Sequence, residues 1–175
     1  MEHKAKNYIS VEVKIANKEF AAQHDLFKYG SDFAAGVDLR ANIPEAIVLK
    51  PGEQVLVGIG YAAFVNDPNY MLALYPRSGM GVKGLVLGNL TGIIDPDYQD
   101  ELKVCLWNRK PQIRIDNAIQ AVTMMTESND IIINPGDRIA QMVLQPILHA
   151  DFKIVEEFSA VTGRGTDGFG ASGVN

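Results

Sequence analysis

Asp95 closes a short apolar run, Gly92-Ile93-Ile94, and is followed by Pro96, Asp97 and Tyr98. An aspartate approached in this way is expected to be partly buried, which tunes a carboxylate for general-base work. Asp97 reads as an ordinary turn aspartate, and Tyr98 as either a binding aromatic or a core-edge ring. A second cluster is Pro76-Arg77-Ser78-Gly79-Met80-Gly81. A cation, a hydroxyl and two glycines at a helix start suit an anion such as phosphate, because glycine lets backbone N–H groups approach closely. A third runs from Arg164 to Gly173 and contains Phe169, the tail's one aromatic. Its arginine, hydroxyls and glycines suit a polyphosphate, and the ring suits stacking on a planar base. That tail cannot bury enough apolar surface to order itself, so it reads either as terminal disorder or as a lid that orders on a ligand.

Other chemistries find little support. His3, His24 and His149 are widely separated and there is no CxxC pair, which argues against a structural zinc. No Walker-type phosphate loop is present. Cys105, the one cysteine, sits in the apolar run Val104-Cys105-Leu106-Trp107 and is expected to be a buried structural thiol. A lone cysteine forms no intramolecular disulfide and suits a reducing compartment.

The chain has 175 residues, 47% hydrophobic and 21% charged, which fits one globular domain. A chain of this size buries roughly 70% of the surface its unfolded form exposes. The net charge of −5 argues against broad nucleic-acid or membrane-surface binding, both of which use basic surfaces. Met1-Glu2-His3-Lys4 does not open a signal peptide and no apolar run is long enough to span a bilayer, so a soluble, cytoplasmic protein is expected.

The elements that must carry these residues read as strands. Ile9, Val11, Val13 and Ile15 alternate with polar residues, the period of a half-buried strand. Further short strand-like runs are 46–49, 54–60, 70–75, 102–107, 141–146 and 152–158. Lys50-Pro51-Gly52-Glu53 and Asn134-Pro135-Gly136-Asp137 are type II turn sequences, with proline presetting φ and glycine supplying φ > 0. Many short strands between turns predict an all-β jelly roll or barrel, with one short helix between Pro76 and Gly88. The polar stretch 110–133 reads as an insertion, either a hairpin arm or a loop with a helical turn near 117–125. The domain is placed at 1–160 and the flexible, glycine-rich lid at 161–175.

Five segments, in order, resemble the five motifs of the trimeric all-β dUTP nucleotidohydrolases (dUTPases). They are Ala35-Gly36-Val37-Asp38-Leu39-Arg40-Ala41; Pro76 to Gly81 continuing to Leu87-Gly88-Asn89; Gly92 to Tyr98; Pro135-Gly136-Asp137-Arg138-Ile139-Ala140-Gln141; and Arg164-Gly165 with Gly168-Phe169-Gly170 and Ser172-Gly173. The similarity runs from about Ile9 to Gly173. It departs from the pattern at Asp100, where the family usually has glycine, in a loop near 80–85 about one residue shorter, and in the longer 110–133 stretch.

The resemblance implies a distorted jelly roll that forms a homotrimer, with the C-terminal tail exchanged onto a neighbouring subunit. It implies hydrolysis of dUTP to dUMP and pyrophosphate, which limits uracil incorporation into DNA and supplies dUMP for dTMP synthesis. Asp95 would activate the water that attacks the α-phosphorus. Tyr98 would pack under the deoxyribose and exclude a 2′-hydroxyl. A hairpin from Asn89 to Lys103, including Ile93 and Ile94, would read uracil largely through its backbone. Arg77, Ser78, Gly79 and Gln141 of a second subunit would hold phosphates, and Arg164 and Phe169 of a third would close over them and the base. Mg²⁺ would bind through the phosphates and water, with Asp38 supporting that region rather than any direct protein ligand. Two alternatives stand beside this reading. A dCTP deaminase of the same fold would carry a catalytic glutamate in the strand 102–107, where none is found; Glu101 precedes it and is expected to be solvated. A nucleotide-sensing regulatory protein would use the 110–133 insertion as its partner surface.

Overall fold

A computed structural model of the chain describes residues 8–112 and 129–166. In chain order the elements are β1 (Glu12–Ile15), α1 (Lys18–Gln23), β2 (Val37–Arg40), β3 (Ile47–Leu49), β4 (Gln54–Gly58), β5 (Tyr61–Phe64) and β6 (Tyr70–Tyr75). They continue with α2 (Ser78–Val82), β7 (Leu85–Leu87), β8 (Gly92–Ile94), β9 (Lys103–Asn108), β10 (Ile131–Ile133) and β11 (Arg138–Pro146). The strands form four antiparallel sheets, ordered β2-β11-β6-β8, β4-β9-β7, β1-β5 and β10-β3. The all-β expectation holds.

Two-residue periodicity explains the sheets. In β2, Val37 and Leu39 are buried while Asp38 and Arg40 face partly outward. In β9, Val104, Leu106 and Asn108 point inward between the outward Lys103, Cys105 and Trp107. Leu39, Leu74, Leu106, Ile133 and Ile139 come from three different sheets and meet in one buried cluster. Both predicted turns form: Gly52 and Gly136 have φ of 84° and 78°, and Glu53 and Asp137 donate their N–H back to the carbonyls of Lys50 and Asn134.

The structure corrects several expectations. Among the described residues there are two short helices rather than one. The first, α1, is capped by Asn17, whose Oδ1 accepts from the Phe20 N–H at 3.0 Å while the Phe20 ring is buried. The stretch 76–88 is only partly helical: Gly84, at φ 95°, ends it and β7 begins. The last residues assigned to the 110–133 insertion belong to the domain, because β10 pairs with β3; the helical turn expected near 117–125 lies outside the described residues. β5 escaped notice because its alanines carry little strand propensity. Cys105 is half-buried rather than buried, with its Sγ 3.6 Å from Gln54 Oε1.

The strand expected at 152–158 does not form. After Ile147, every described residue to Thr166 is exposed, including Leu148, Phe152, Ile154, Phe158 and Val161. No described strand pairs with the segment, and its apolar side chains face outward.

Two buried polar groups yield predictions. Asn108 is fully buried, and its Nδ2 donates to the carbonyls of Leu49 and Asn129, both at 2.9 Å. Asn108→Leu keeps the volume but strands those carbonyls, so stability should fall by about 1–3 kcal/mol, read as a lower urea midpoint. Tyr61, 1% exposed, packs edge-on against Phe27; its hydroxyl is the one buried side-chain polar atom among the described residues without a hydrogen bond. Burial pushes its pKa above the ordinary phenol range. Tyr61→Phe removes the unsatisfied group and should leave the melting temperature unchanged or raised; a clear drop would show that the hydroxyl is satisfied in solution.

Candidate active site

β6 lies between β11 and β8, and its two ends carry two different groups of side chains. At its C-terminal end the chain passes through Pro76 into Arg77, the residue preceding α2. The Arg77 Nε donates to Asp38 Oδ1 at 2.6 Å, and Arg138 Nη1 donates to Asp38 Oδ2 at 3.2 Å. Asp38 comes from β2, Arg138 from the start of β11, and the β2–β11 register joins them. Gln141, further along β11, donates to the Pro76 carbonyl at 2.9 Å and so fixes the entry to α2. Arg40 Nη1 donates to the Gly136 carbonyl at 2.9 Å and braces the turn before Arg138.

The electrostatics of this corner follow from the pairing. One carboxylate lies between two guanidiniums, leaving a net positive charge. Asp38 is therefore engaged in holding cations in place. Ser78 and Gly79 are exposed and open α2, and the N–H groups at a helix start have no intrahelical partner to satisfy them. An open cleft of about 640 Å³ runs between α2 and the β10–β11 turn, lined by Arg77, Lys83, Lys110, Asp137 and Arg138 among others. The arrangement can hold a polyanion. Among the described residues, no three His, Cys, Asp or Glu side chains gather to bind a metal.

The other group lies at the opposite end of the sheet. In β8, Gly92 pairs with Leu74 and Ile94 with Leu72, so Asp95 falls near the N-terminal end of β6. At about 3.3 Å per residue, the five or six positions from there to Arg77 put the two groups roughly 15–20 Å apart in one chain. The Asp95 turn is held by two backbone bonds: Tyr98 N–H to the Asp95 carbonyl at 3.1 Å and Asn66 N–H to the Pro96 carbonyl at 3.0 Å. Asn66 has φ 52°, a conformation asparagine tolerates. Asp95 is exposed in the single chain, not partly buried as its apolar approach suggested: β8 is a three-residue edge strand, and the run that precedes Asp95 ends at the rim.

The segment 89–103 is not a two-stranded hairpin, because β8 pairs with β6 while β9 pairs with β4 and β7. It crosses from one sheet to another. Asn89 is exposed beside Leu90, which has φ 63°; Ile93 is exposed, Ile94 half-buried, and Lys103 opens β9 opposite Gly58. Tyr98 is 39% exposed, and its hydroxyl donates to the Glu101 carbonyl at 3.3 Å. Asp100 needs no left-handed backbone; its Oδ1 accepts the Glu101 N–H at 2.7 Å. Glu101 is half-buried rather than solvated: its Oε1 accepts from the Gly60 N–H at 2.8 Å and from Asn42 Nδ2 at 3.5 Å. Arg164 is exposed in the turn 163–166, and Phe169 lies outside the described residues. Sequence reasoning passed over Arg138 and Glu101 as site residues. The signal for Arg138 was its place in the fourth motif, three residues before Gln141; nothing in the sequence marked Glu101.

Known proteins carry the same pattern. A family model described as dUTPase matches residues 22–120 and 115–173. The deoxyuridine 5′-triphosphate nucleotidohydrolase of Idiomarina loihiensis is 46% identical over 164 residues, 93% of this chain and 97% of that protein. That of Neisseria meningitidis serogroup A is 45% identical over 95% of this chain and 99% of its own. Among solved structures, a mutant dUTPase of Staphylococcus bacteriophage 80alpha with dUpNHpp matches with a TM-score of 0.75 at 28% identity, covering 94% of this chain and 99% of that one. A mutant dUTPase of phage phi11 of S. aureus, described as revealing the coordination of a structural Mg(II) ion, matches with a TM-score of 0.67 at 25% identity, covering 86% and 99%. With four of its motifs set on an all-β frame, and with these relatives aligned along nearly its whole length, the chain belongs to the dUTPase family.

Proposed function

We propose that the protein hydrolyses dUTP to dUMP and pyrophosphate in a homotrimer whose sites are shared between subunits. The observation that carries this reading is the separation of the two groups. Asp95 and Tyr98 stand at one end of the β6–β8 pair and Arg77, Ser78, Gly79 and Gln141 at the other, too far apart to grip one nucleotide within one chain. A second copy that sets its Arg77 end against the Asp95 end completes the site. The exposed apolar arm 148–166 supports the same assembly, because such a stretch calls for a partner surface and the neighbouring subunit offers one. Arg164 of that arm and Phe169 beyond it, from a third subunit, close over the phosphates and the base. The domain 1–160 then carries the site, and 161–175 serves as the lid.

In this reading Asp95 accepts a proton from a water as the water oxygen attacks the α-phosphorus. The bond from that phosphorus to the bridging oxygen breaks, and pyrophosphate leaves. Tyr98 lies under the sugar and excludes a 2′-hydroxyl; the backbone between Asn89 and Lys103, with Ile93 and Ile94, takes the uracil edge. Arg77 and the N–H groups of Ser78 and Gly79 neutralise and orient the phosphates, and positioning with charge neutralisation is most of what phosphoryl transfer requires. Mg²⁺ would be held through the substrate's phosphates and water, with Asp38 supporting that region, and would supply charge neutralisation. The residues fit an ion held by phosphates and water: Asp38, the acid nearest the phosphate corner, is already paired with two arginines. The setting of this chemistry is cytoplasmic. Deamination of dCTP is disfavoured because the carboxylate of Glu101 is committed to Gly60 and Asn42. A regulatory role beside catalysis draws support from phage 80alpha, whose dUTPases are described as controlling transfer of virulence genes; the insertion, ending before β10, is the segment we assign to such a partner.

Asp95→Asn should keep nucleotide binding while turnover falls about 10²–10⁴-fold, the usual worth of a general base; a variant with normal pyrophosphate release would reject the assignment. Site sharing has its own test. Asp95→Asn and Arg77→Ala chains, each inactive alone, are unfolded together and refolded as mixed trimers. About a quarter of the shared sites should then pair an intact Asp95 with an intact Arg77, and activity should return in that proportion. Mixtures that stay inactive would place both residues of each site on one chain.

A further inference from the structure

We propose that Glu101 is a positioning residue for sugar selection, acting through Tyr98. The proposal rests on the reading of Tyr98 as the surface under the deoxyribose. Tyr98 lies on an exposed crossing between two sheets, and no strand pairing fixes its ring. The stretch is anchored three residues later. The Glu101 carboxylate lies over Gly58, where a Cβ would come within 2.6 Å of Oε1, and the same oxygen accepts the Gly60 N–H at 2.8 Å. Asn42 approaches that oxygen at 3.5 Å and accepts in turn from Asn17 Nδ2 at 2.8 Å, while Asn17 caps α1. A chain of polar groups thus ties the crossing to the first helix.

The anchored residue is the one that receives Tyr98. The Glu101 carbonyl accepts the phenol O–H at 3.3 Å, and the Glu101 N–H is held by Asp100 Oδ1 at 2.7 Å. Side chain, N–H and carbonyl of Glu101 are therefore all engaged, and the position of its carbonyl sets where the ring can rest. An aromatic surface that moves by a fraction of an ångström no longer meets a bare 2′-carbon closely, and space for a hydroxyl opens. Glu101 touches no substrate atom in this scheme.

The test compares kcat/KM for dUTP and UTP in the full-length protein. Glu101→Ala should lower the dUTP-to-UTP ratio by about tenfold or more, chiefly by losing dUTP efficiency, since misplacement by an ångström can cost up to 10²-fold. Glu101→Gln keeps an acceptor oxygen for the Gly60 N–H and should hold the ratio near that of the parent. If Glu101→Ala fails to fold, Gly58→Ala serves instead, because its methyl displaces the carboxylate without removing it, and it should lower the ratio in the same way. In a Tyr98→Ala background, Glu101→Ala should change the ratio no further. A folded Glu101→Ala or Gly58→Ala protein with the parent ratio would overturn the proposal. So would a Gln variant as impaired as Ala, or an equal loss without Tyr98. A parent protein with no preference for dUTP would instead refute the underlying reading of the site.

Discussion

The antiparallel register of β6 against its two neighbours is the constraint on which the site depends. On one side β11 brings Gln141 level with Tyr75, within reach of the Pro76 carbonyl; on the other, β8 places Ile94 opposite Leu72. A side-chain period of two means that a slip of one residue would turn every side chain of β8 to the other face. Leu72, Ala73 and Leu74 are consecutive buried residues, and their packing in the core holds the register. The core thus fixes the distance between Asp95 at one end of β6 and the Arg77 corner at the other.

The corner formed by Arg77, Arg138 and Asp38 shows orientation taking precedence over stability. Arg77, Arg138 and Asp38 are each 26–52% exposed, so solvent screens their attraction and the ion pairs contribute little to folding. Their geometry is nonetheless specific. Asp38 gives one oxygen to each guanidinium, and Gln141 pins the backbone just before Arg77. Two cations held by one anion remain available to a polyphosphate in a way that two fully neutralised cations would not.

Polar groups elsewhere connect the site to the frame. Asn108 bonds to the carbonyls of Leu49 and Asn129 and so ties the two ends of the 110–133 excursion to the core. Glu101, Asn42 and Asn17 do the same for the crossing that carries Tyr98. An excursion rooted in this way can vary in length without disturbing either half of the site, since loop-closure cost grows slowly with length.

By itself the sequence determined what local chemistry controls. Alternation fixed the all-β class, Pro-Gly pairs fixed the two type II turns, and the order of five motifs fixed the family. Arg77, Ser78, Asp95 and Tyr98 stood out as candidates through their residue types and their places in the motifs. Burial and pairing belong to the tertiary structure, because they depend on residues far apart in the chain. Asp95 is exposed because β8 is a three-residue edge strand, and 152–158, strand-like in its residue types, pairs with no described strand. Glu101 is an anchor only because Gly58 and Gly60, some forty residues earlier, leave room and a donor for its carboxylate. The pairing of Arg138 with Asp38 across 100 positions arises in the same way, from a sheet register that no local pattern encodes.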